Sequence, residues 1–569
     1  MNKKPLILSI FSLFVLSGCS FFDFLKPNDK GADTGDDTPI NNPEEEQESG
    51  KEEGKKIDFK QVGEFYGGVV ENKKYIGYEF SKSENEINKP TSGVGEVNIF
   101  AFNDFHGAVI QNEEEAGLKS IGTFFKEKSQ QSNTLILDQG DTWQGSFESN
   151  YQHGAIVQDV FNYAGVSLRT VGNHDFDWGL EQLKSTNNRK IGDDYIPVLA
   201  SNVYDYKDGK NGTTQQTEYG KEYAIFTLDN GIKVGVVGII GSNQITSICS
   251  TNVEDICFTD HIDKAQEMCD YLRISKECDI IVVSAHEGIS EIRYSGLENL
   301  SSKTNHRYAD LILGGHEHSR QEETYGATKY VQWDSNGRSV GSVKLLFDFA
   351  TGEVINNETM VSTYDVEYLK ENYSVTEPTI KEMVDTYLEE TEPIASEVLS
   401  SNFNYYFNTT SLAYLMSEAI YSAVKNAGYN IDLAVTNYAR TYFAGNTFTI
   451  GDLYRSFPFD NEIIIMDVTG IKAYNSLYSN MTYRARTDFS PSAFSTYKIA
   501  VIDYVGLHQN KNREYDYFPM ASNKEVFKLS ADSEPAIYRD ILKDYLKNNP
   551  TKEFNSSDYT SSNPHFALD

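Results

Sequence analysis

Positive charge is what this 569-residue chain has least of: 50 lysines and arginines stand against 84 aspartates and glutamates, a net charge of −34. A chain so acidic excludes a nucleic-acid polymer as partner, because phosphate backbones are gripped by concentrated lysine and arginine. The excess is not confined to one tail, since residues 20 to 60 hold only 12 acids against 6 bases. The folded body is itself acidic, so any anionic small molecule it handles must meet locally placed cations, and metal ions are the plainest candidates. Long apolar runs are also missing. The most conspicuous, Pro5 to Leu16, falls well short of the roughly 20 residues that carry a helix across a bilayer. Cysteine is scarce as well: there are five, with no Cys-x-x-Cys pair, which argues against a thiolate zinc site.

What is present at the start is "MNKKPLILSIFSLFVLSGC", with Lys3 and Lys4 ahead of the apolar run. This reads as an export signal covering 1–19. "LSGC" resembles a bacterial lipobox, which implies cleavage after Gly18 and a lipid on Cys19 that anchors the chain to the cell membrane, outside the cytoplasm. The following stretch is rich in Asp, Glu, Gly, Pro and Asn and has too little apolar surface to order. We read 20–95 as an acidic tether with a short pre-domain segment. In an oxidising compartment Cys249, Cys257, Cys269 and Cys278 are expected to form disulfides. Of the three connectivities, short local loops favour Cys249 with Cys257 and Cys269 with Cys278.

Five apolar runs then stop at Asp, Asn or His. "VNIFAFNDFHG" ends in Asp104 and His106, "NTLILDQGD" in Asp141, and "LRTVGNHDFD" in Asn173, His174 and Asp177; "DIIVVSAHEG" ends in His286 and "ADLILGGHEH" in His316 and His318. Each run has the aliphatic character of a strand buried on both faces. Helix-like segments such as "GLKSIGTFFKEKSQ" and "DKAQEMCDYLRISK" lie between them. Alternation of this kind predicts a parallel or mixed sheet covered by helices on both sides. Functional groups in such sheets gather beyond the carboxyl ends of the strands, so the five ends are expected to converge. Mixed carboxylate, amide and imidazole groups suit borderline divalent ions such as Zn, Mn or Co. Two such ions about 3.5 to 4 Å apart can activate water and polarise a phosphoryl group.

The blocks "NDFHG", Gly140–Asp141, "GNHDFD", "SAHEG" and "GGHEH", spread over residues 96 to 345, resemble the calcineurin-like metallophosphoesterases, and among them the bacterial and extracellular 5'-nucleotidases. The resemblance implies an α/β chain: a four-layer sandwich with helices outside the sheets over 96–365, a linking helix over 366–395, and a second α/β domain over 396–569. It also implies that Asp104, His106 and His318 hold one metal, that Asn173, His286 and His316 hold the other, and that Asp141 bridges them. His174 and Asp177 match a catalytic dyad whose imidazole stabilises the phosphoryl transition state or leaving oxygen. The family often has Glu where this chain has Asp175.

In the second domain "PFDN" and the following "TG" resemble the family's base-binding signature. Phe459 matches one wall of a stacking clamp and Asn461 its polar neighbour; Tyr504 is the candidate opposite wall and Asp516 a sugar or base contact. The match weakens where the family carries Asn-Gly-Gly-x-x-Arg. This chain has "TNYARTYF", leaving Asn437 and Arg440. Upstream, "YYFNTTSLAY" lacks the usual Arg, and no other side chain reproduces a bidentate guanidinium. The implied activity is hydrolysis of nucleoside 5'-phosphates, with UDP-sugars and 2',3'-cyclic nucleotides as further esters. A phosphoesterase for non-nucleotide esters and a surface adhesin that retains the fold are the alternatives.

Overall fold

The computed structural model describes residues 60–63, 66–70, 73–81, 87–216, 218–470, 481–485, 489–490, 492–515, 517–530 and 532–561. The signal, most of the tether, Cys19 and Asp516 lie outside the described residues. No helix among those described is long and apolar enough to cross a membrane.

In chain order the first domain contains β1 (Lys73–Ser81), β2 (Val94–Phe102), α1 (Gly117–Ser129), β3 (Thr134–Asp138), α2 (Ala155–Ala164), β4 (Leu168–Thr170) and β5 (Val198–Leu199). It continues with β6 (Tyr223–Thr227), β7 (Lys233–Ile240), α3 (His261–Lys276), β8 (Ile280–His286), β9 (Leu311–Leu313), β10 (Thr328–Gln332) and β11 (Ser339–Asp348). One sheet runs β11-β2-β3-β4-β5, parallel except for β11. The other contains β1-β6-β7-β8-β9-β10, with the β6–β7 pair antiparallel. Strand β1 therefore belongs to the sandwich, although sequence assigned it to the segment before the domain.

The five ligand-bearing strands divide between the two sheets, where the residue pattern predicted one sheet with helices on both faces. Alternation along each strand explains why both faces are nonetheless apolar. Ile99, Ala101, Leu135 and Leu137 face the other sheet, meeting Val234, Val236, Ile280 and Val282. Phe100, Phe102 and Ile136 face outward against Phe124, Phe125, Val160 and Phe161 of α1 and α2. On the far side Ile281 and Val283 pack under α3 through Met268, Cys269 and Leu272. The result is a helix–sheet–sheet–helix sandwich, as the resemblance implied. Helix α3 is fixed at its start by Asp260, whose side chain accepts from the backbone of Ile262 and Asp263, and carries Arg273 and Lys276 in its last turn, complementing the helix dipole.

The cysteines correct another expectation. Cys249, Cys257, Cys269 and Cys278 are all buried and unpaired, so neither Cys249–Cys257 nor Cys269–Cys278 exists as a disulfide. Cys269 and Cys278 fill the apolar layer beneath α3. Cys257 Sγ donates to Asp205 O at 3.4 Å, and Cys249 Sγ lies 3.2 Å from Thr251 Oγ1. They act as small core residues.

Helix α4 (Pro378–Ala395) begins with Pro at its first turn and the Glu377 side chain as cap. Its Ile380, Met383, Val384 and Tyr387 complete the helix layer of the first domain, while Ile394 and Ala395 pack on the second core. That second unit contains α5 (Thr409–Asn426), β12 (Leu433–Asn437), α6 (Ile450–Ser456), β13 (Ile463–Thr469), β14 (Met481–Ala485), β15 (Thr496–Ile502), β16 (Ala521–Val526) and α7 (Tyr538–Asn548). Its sheet has the order β14-β12-β15-β13-β16.

The two units meet along a polar seam. Ser250 Oγ donates to Leu507 O at 2.9 Å. The Arg513 guanidinium donates to Val253 O at 3.1 Å and to Ile256 O, and lies 4.5 Å over the Tyr206 ring. At the same seam Asp503 adjoins Cys249, and burial pushes its carboxyl up to about 7, against the backbone donors that favour its ionised form. An unfolded aspartate titrates near 3.9. The folded chain therefore retains a proton that the unfolded chain has lost between about pH 4 and 7, and the stability this contributes disappears as pH rises through that window. Thermal melts across this range are expected to favour Asp503→Asn over the parent progressively as pH rises. A Tm difference that does not change with pH would contradict it.

Candidate active site

The ligand-bearing loops are extensions of strand pairing. Beyond the β2–β3 ladder, Asp104 N donates to Gly140 O at 3.0 Å, His106 N to Asp141 O at 2.9 Å and Gly107 N to Thr142 O at 3.0 Å. Five site residues nonetheless take left-handed backbone: Asp104 (φ 48°), His106 (49°), Asp141 (54°), His316 (72°) and His318 (55°). Such conformations are uncommon for non-glycine residues and persist where surrounding contacts over-determine them. Here the crossing backbone bonds do so, together with His316 N, which donates to Asp104 Oδ2 at 2.9 Å and Oδ1 at 3.1 Å. Glycine supplies the clearance. A Cβ on Gly172 would lie 2.2 Å from Asp141 Oδ1.

These turns aim two sets of ligand atoms at one another. Asp104, His106, Asp141 and His318 form one group, and Asp141, His286 and His316 form another, each with its ligand atoms within 4.8 Å. Asp141 belongs to both. Asn173 joins the second, its Oδ1 lying 3.0 Å from His286 Nε2 and 3.0 Å from His316 Nδ1. Main-chain carbonyls orient the rings: Gln144 O contacts His106 Nδ1 at 2.9 Å and Gln139 O contacts His286 Nδ1 at 2.8 Å. Each thereby turns its Nε2 inward, the arrangement typical of metal-bound imidazoles.

Within the protein this arrangement is incomplete. His106 Nε2 and His318 Nε2 face each other at 3.0 Å, and among the described residues buried Asp141 Oδ2 has no hydrogen-bond donor, with His286 Nε2 3.3 Å away. Burial opposes charge on His286, but Asp141 and then Asp104 outweigh it and raise the imidazole to about 10. Burial instead pushes His316 down to about 4 and His106 well below its ordinary value, so both stay neutral. A donor set of carboxylate, amide and imidazole with an unpaired inward carboxylate oxygen fits divalent cations.

His174 belongs to neither ligand group and lies beside them in the cleft. It starts a short 3₁₀ turn, His174–Phe176, which brings its Nδ1 to 2.7 Å from Asp177 Oδ2. Burial depresses the imidazole, yet Asp177 and Asp141 together hold it above its ordinary value. Asn252 Nδ2 donates to Asp177 O at 2.7 Å, tying the dyad to the turn that carries Ser250 at the domain seam.

Asp175 belongs to neither ligand group. It pairs with fully buried Arg169 at 2.8 Å and accepts from Gly172 N at 2.8 Å and Thr142 N at 3.3 Å. The guanidinium stacks 3.8 Å from the Trp143 ring. This pair braces the loop of Asp141, through Thr142, against the loop that begins at Gly172. Sequence reasoning passed over Arg169, although a charge inside the apolar run "LRTVG" is a signal in itself. Gln144 and Asn252 were missed too, and neither has a comparable mark.

A cleft of about 600 Å³ opens over the site, lined by His106, Gln144, His174 and His318 below and by Arg440, Arg455 and Phe459 from the second unit. Phe459 lies parallel to His174, ring centres 5.2 Å apart, with the Arg440 guanidinium 6.0 Å over the same ring. Asn437, Asn461 and Tyr504 do not line the cleft. Asn437 ends β12, buried Asn461 accepts Tyr538 N through its carbonyl at 3.0 Å, and Tyr504 meets His508 edge-on at 5.6 Å.

The sandwich and its converging ligands define a class. Residues 97–320 match the calcineurin-like phosphoesterase family. Among curated relatives, "Cell wall protein Lmo0130" of Listeria monocytogenes is 24% identical over 452 residues, covering 68% of this chain and 57% of that protein. A 5'-nucleotidase of Diplobatis ommata is 26% identical over 293 residues, 46% of this chain and 48% of that one. The chain thus spans about half the length of these relatives. In fold, a 5'-nucleotidase precursor from Thermus thermophilus superposes with a TM-score of 0.64 at 17% identity, covering 84% of this chain and all of that one. The likeness extends through both units.

Removing one partner of a buried ion pair leaves an uncompensated charge and typically costs about 3–5 kcal/mol. Arg169→Met is therefore expected to lose stability on that scale in urea unfolding, and Asp175→Asn in the same chain to restore part of it. A loss below about 1 kcal/mol, the range of exposed pairs, would contradict the brace.

Proposed function

We propose that the protein is a two-metal phosphoesterase that hydrolyses nucleoside 5'-phosphates to nucleoside and phosphate outside the cytoplasm, anchored to the membrane through a lipid on Cys19. The observation that carries the reading is Asp141, common to two ligand groups and adjacent to the His174–Asp177 pair. In this reading Asp104, His106 and His318 hold one divalent ion, Asn173, His286 and His316 hold the other, and Asp141 bridges them. The domains follow as 96–365, 366–395 and 396–569, with β1 added to the first.

Bound ions would supply a polarised phosphoryl group and an activated water for in-line displacement. The chain's residues do the rest. His174 holds a proton for the leaving oxygen while Asp177 fixes its ring and charge. Arg440 adds a cation at the cleft, and Phe459 covers the imidazole face and excludes water from it. Base stacking by Phe459 would exchange one of its present partners, His174 or Arg440, for a nucleobase. The relatives named 5'-nucleotidase support the nucleotide substrate. A non-nucleotide phosphate ester is favoured instead by one observation, that Asn437, Asn461 and Tyr504 lie away from the cleft lining.

Phosphate release from AMP by protein reconstituted with Mn or Zn tests the reading. AMP turned over no better than a simple sugar phosphate would leave only the phosphoesterase.

His174→Asn is expected to keep its metal and lose about 100- to 10,000-fold in kcat, the usual contribution of a placed acid–base group; a loss under about tenfold, well below that range, would remove His174 from the chemistry. Phe459→Ala is expected to lower kcat on both AMP and p-nitrophenyl phosphate, because His174 loses its stacking partner. It should also raise KM for AMP selectively, by the loss of a stack worth about 1–3 kcal/mol. Equal KM changes on the two substrates would argue against base stacking.

A further inference from the structure

The loop after β3 carries a side chain that neither the ligand groups nor the dyad uses. Gln144 is 2% exposed, yet among the described residues neither its Nε2 nor its Oε1 has a hydrogen-bond partner. Burying such an amide unpaired costs about 1–3 kcal/mol, so its retention calls for a reason. Gln139 shares the property, and of the two only Gln144 lines the cleft, alongside His106, His174 and His318.

Its backbone is pinned on every side. Thr142 Oγ1 donates to Asp138 Oδ2 at 2.6 Å. Trp143 is fully buried, with its Nε1 donating to Gln158 Oε1 at 3.2 Å. Gln144 O takes the His106 Nδ1 contact at 2.9 Å. Gly145 N donates to Asn150 Oδ1 at 3.0 Å, and a Cβ on Gly145 would lie 2.1 Å from His106 O. The chain thus fixes where the carboxamide starts, immediately beside a ligand ring, and leaves its polar end unused. A neutral donor so placed suits an anionic oxygen. A glutamate there would repel one, and a lysine would compete with the cations.

Resting on the phosphoesterase reading, we propose that Gln144 is a substrate-contacting residue: its Nε2 donates to a non-bridging oxygen of the phosphoryl group held beside His106. The contact is a hydrogen bond to a charged acceptor, which contributes about tenfold or more in affinity. It also accounts for the buried amide, since occupancy by the phosphoryl group supplies the partner the fold withholds.

The test uses the full chain loaded with manganese, with inorganic phosphate as the binding probe, and compares the parent with Gln144→Leu and Gln144→Glu. Calorimetry is expected to give Gln144→Leu a Kd for phosphate weaker by about tenfold or more, with Gln144→Glu weaker still. Metal content should be unchanged, kcat/KM on p-nitrophenyl phosphate should fall at least as far, and the Tm of the metal-free Leu variant should equal or exceed that of the parent. Phosphate affinity within about twofold of the parent, far less than one charged hydrogen bond contributes, would overturn the proposal. So would a lower Tm with lost metal, which would assign the amide to the fold. Parent protein that binds metal and phosphate but hydrolyses no ester would defeat the hydrolase reading alone, and the phosphate Kd values would still decide Gln144.

Discussion

The carboxylate of Asp141 stands in both ligand groups at once, and the surrounding structure is organised to hold it there. Its Oδ1 is fixed by the backbone N–H of His174 at 2.8 Å, leaving Oδ2 without a donor among the ligand nitrogens. Gly172 gives it clearance, and the buried Arg169–Asp175 pair ties the loop that carries Asp141, at Thr142, to the loop that carries Gly172. One backbone N–H thus links the bridging position to the residue that the proposed chemistry protonates. Metal and dyad geometry are therefore not independent.

A second constraint is the division of ligands between two sheets. Asp104, Asp141 and Asn173 follow strands of one sheet, while His286 ends a strand of the other and His316 follows one. Their meeting depends on the apolar layer between the sheets, where Ile99, Leu137, Val236 and Val282 interdigitate. Because packed interiors transmit changes of even a methylene, relative movement of the sheets would separate the two ligand groups. Above them, the turn containing Ser250 and Asn252 touches both Leu507 of the second unit and the backbone of Asp177. The seam between the units is thus mechanically joined to the dyad.

The strands and the convergence of the side chains at their ends were legible because each such residue lies one to five residues beyond a strongly apolar run. Left-handed turns convert that sequence proximity into convergence. The division into two sheets was not legible from residues alone: strands buried between a sheet and a helix layer carry the same all-apolar signature as strands buried between two helix layers. The cysteine expectation failed because close spacing says nothing about which way side chains point, and Cys269 and Cys278 point into the layer under α3. In the second unit Phe459 and Arg440 reach the cleft, whereas Tyr504 packs on His508. A single aromatic in a strand-end motif carries no directional information of the kind that a periodic pattern supplies.

In the proposed site one carboxylate serves two cations. Metal analysis of the chain after reconstitution with manganese and removal of free ions tests it most directly. Two ions per chain are predicted, one for each ligand group, with Asp141→Asn losing affinity at both positions together. A single tightly held ion in the parent, or an Asp141→Asn variant that retains both ions and full turnover, would contradict it.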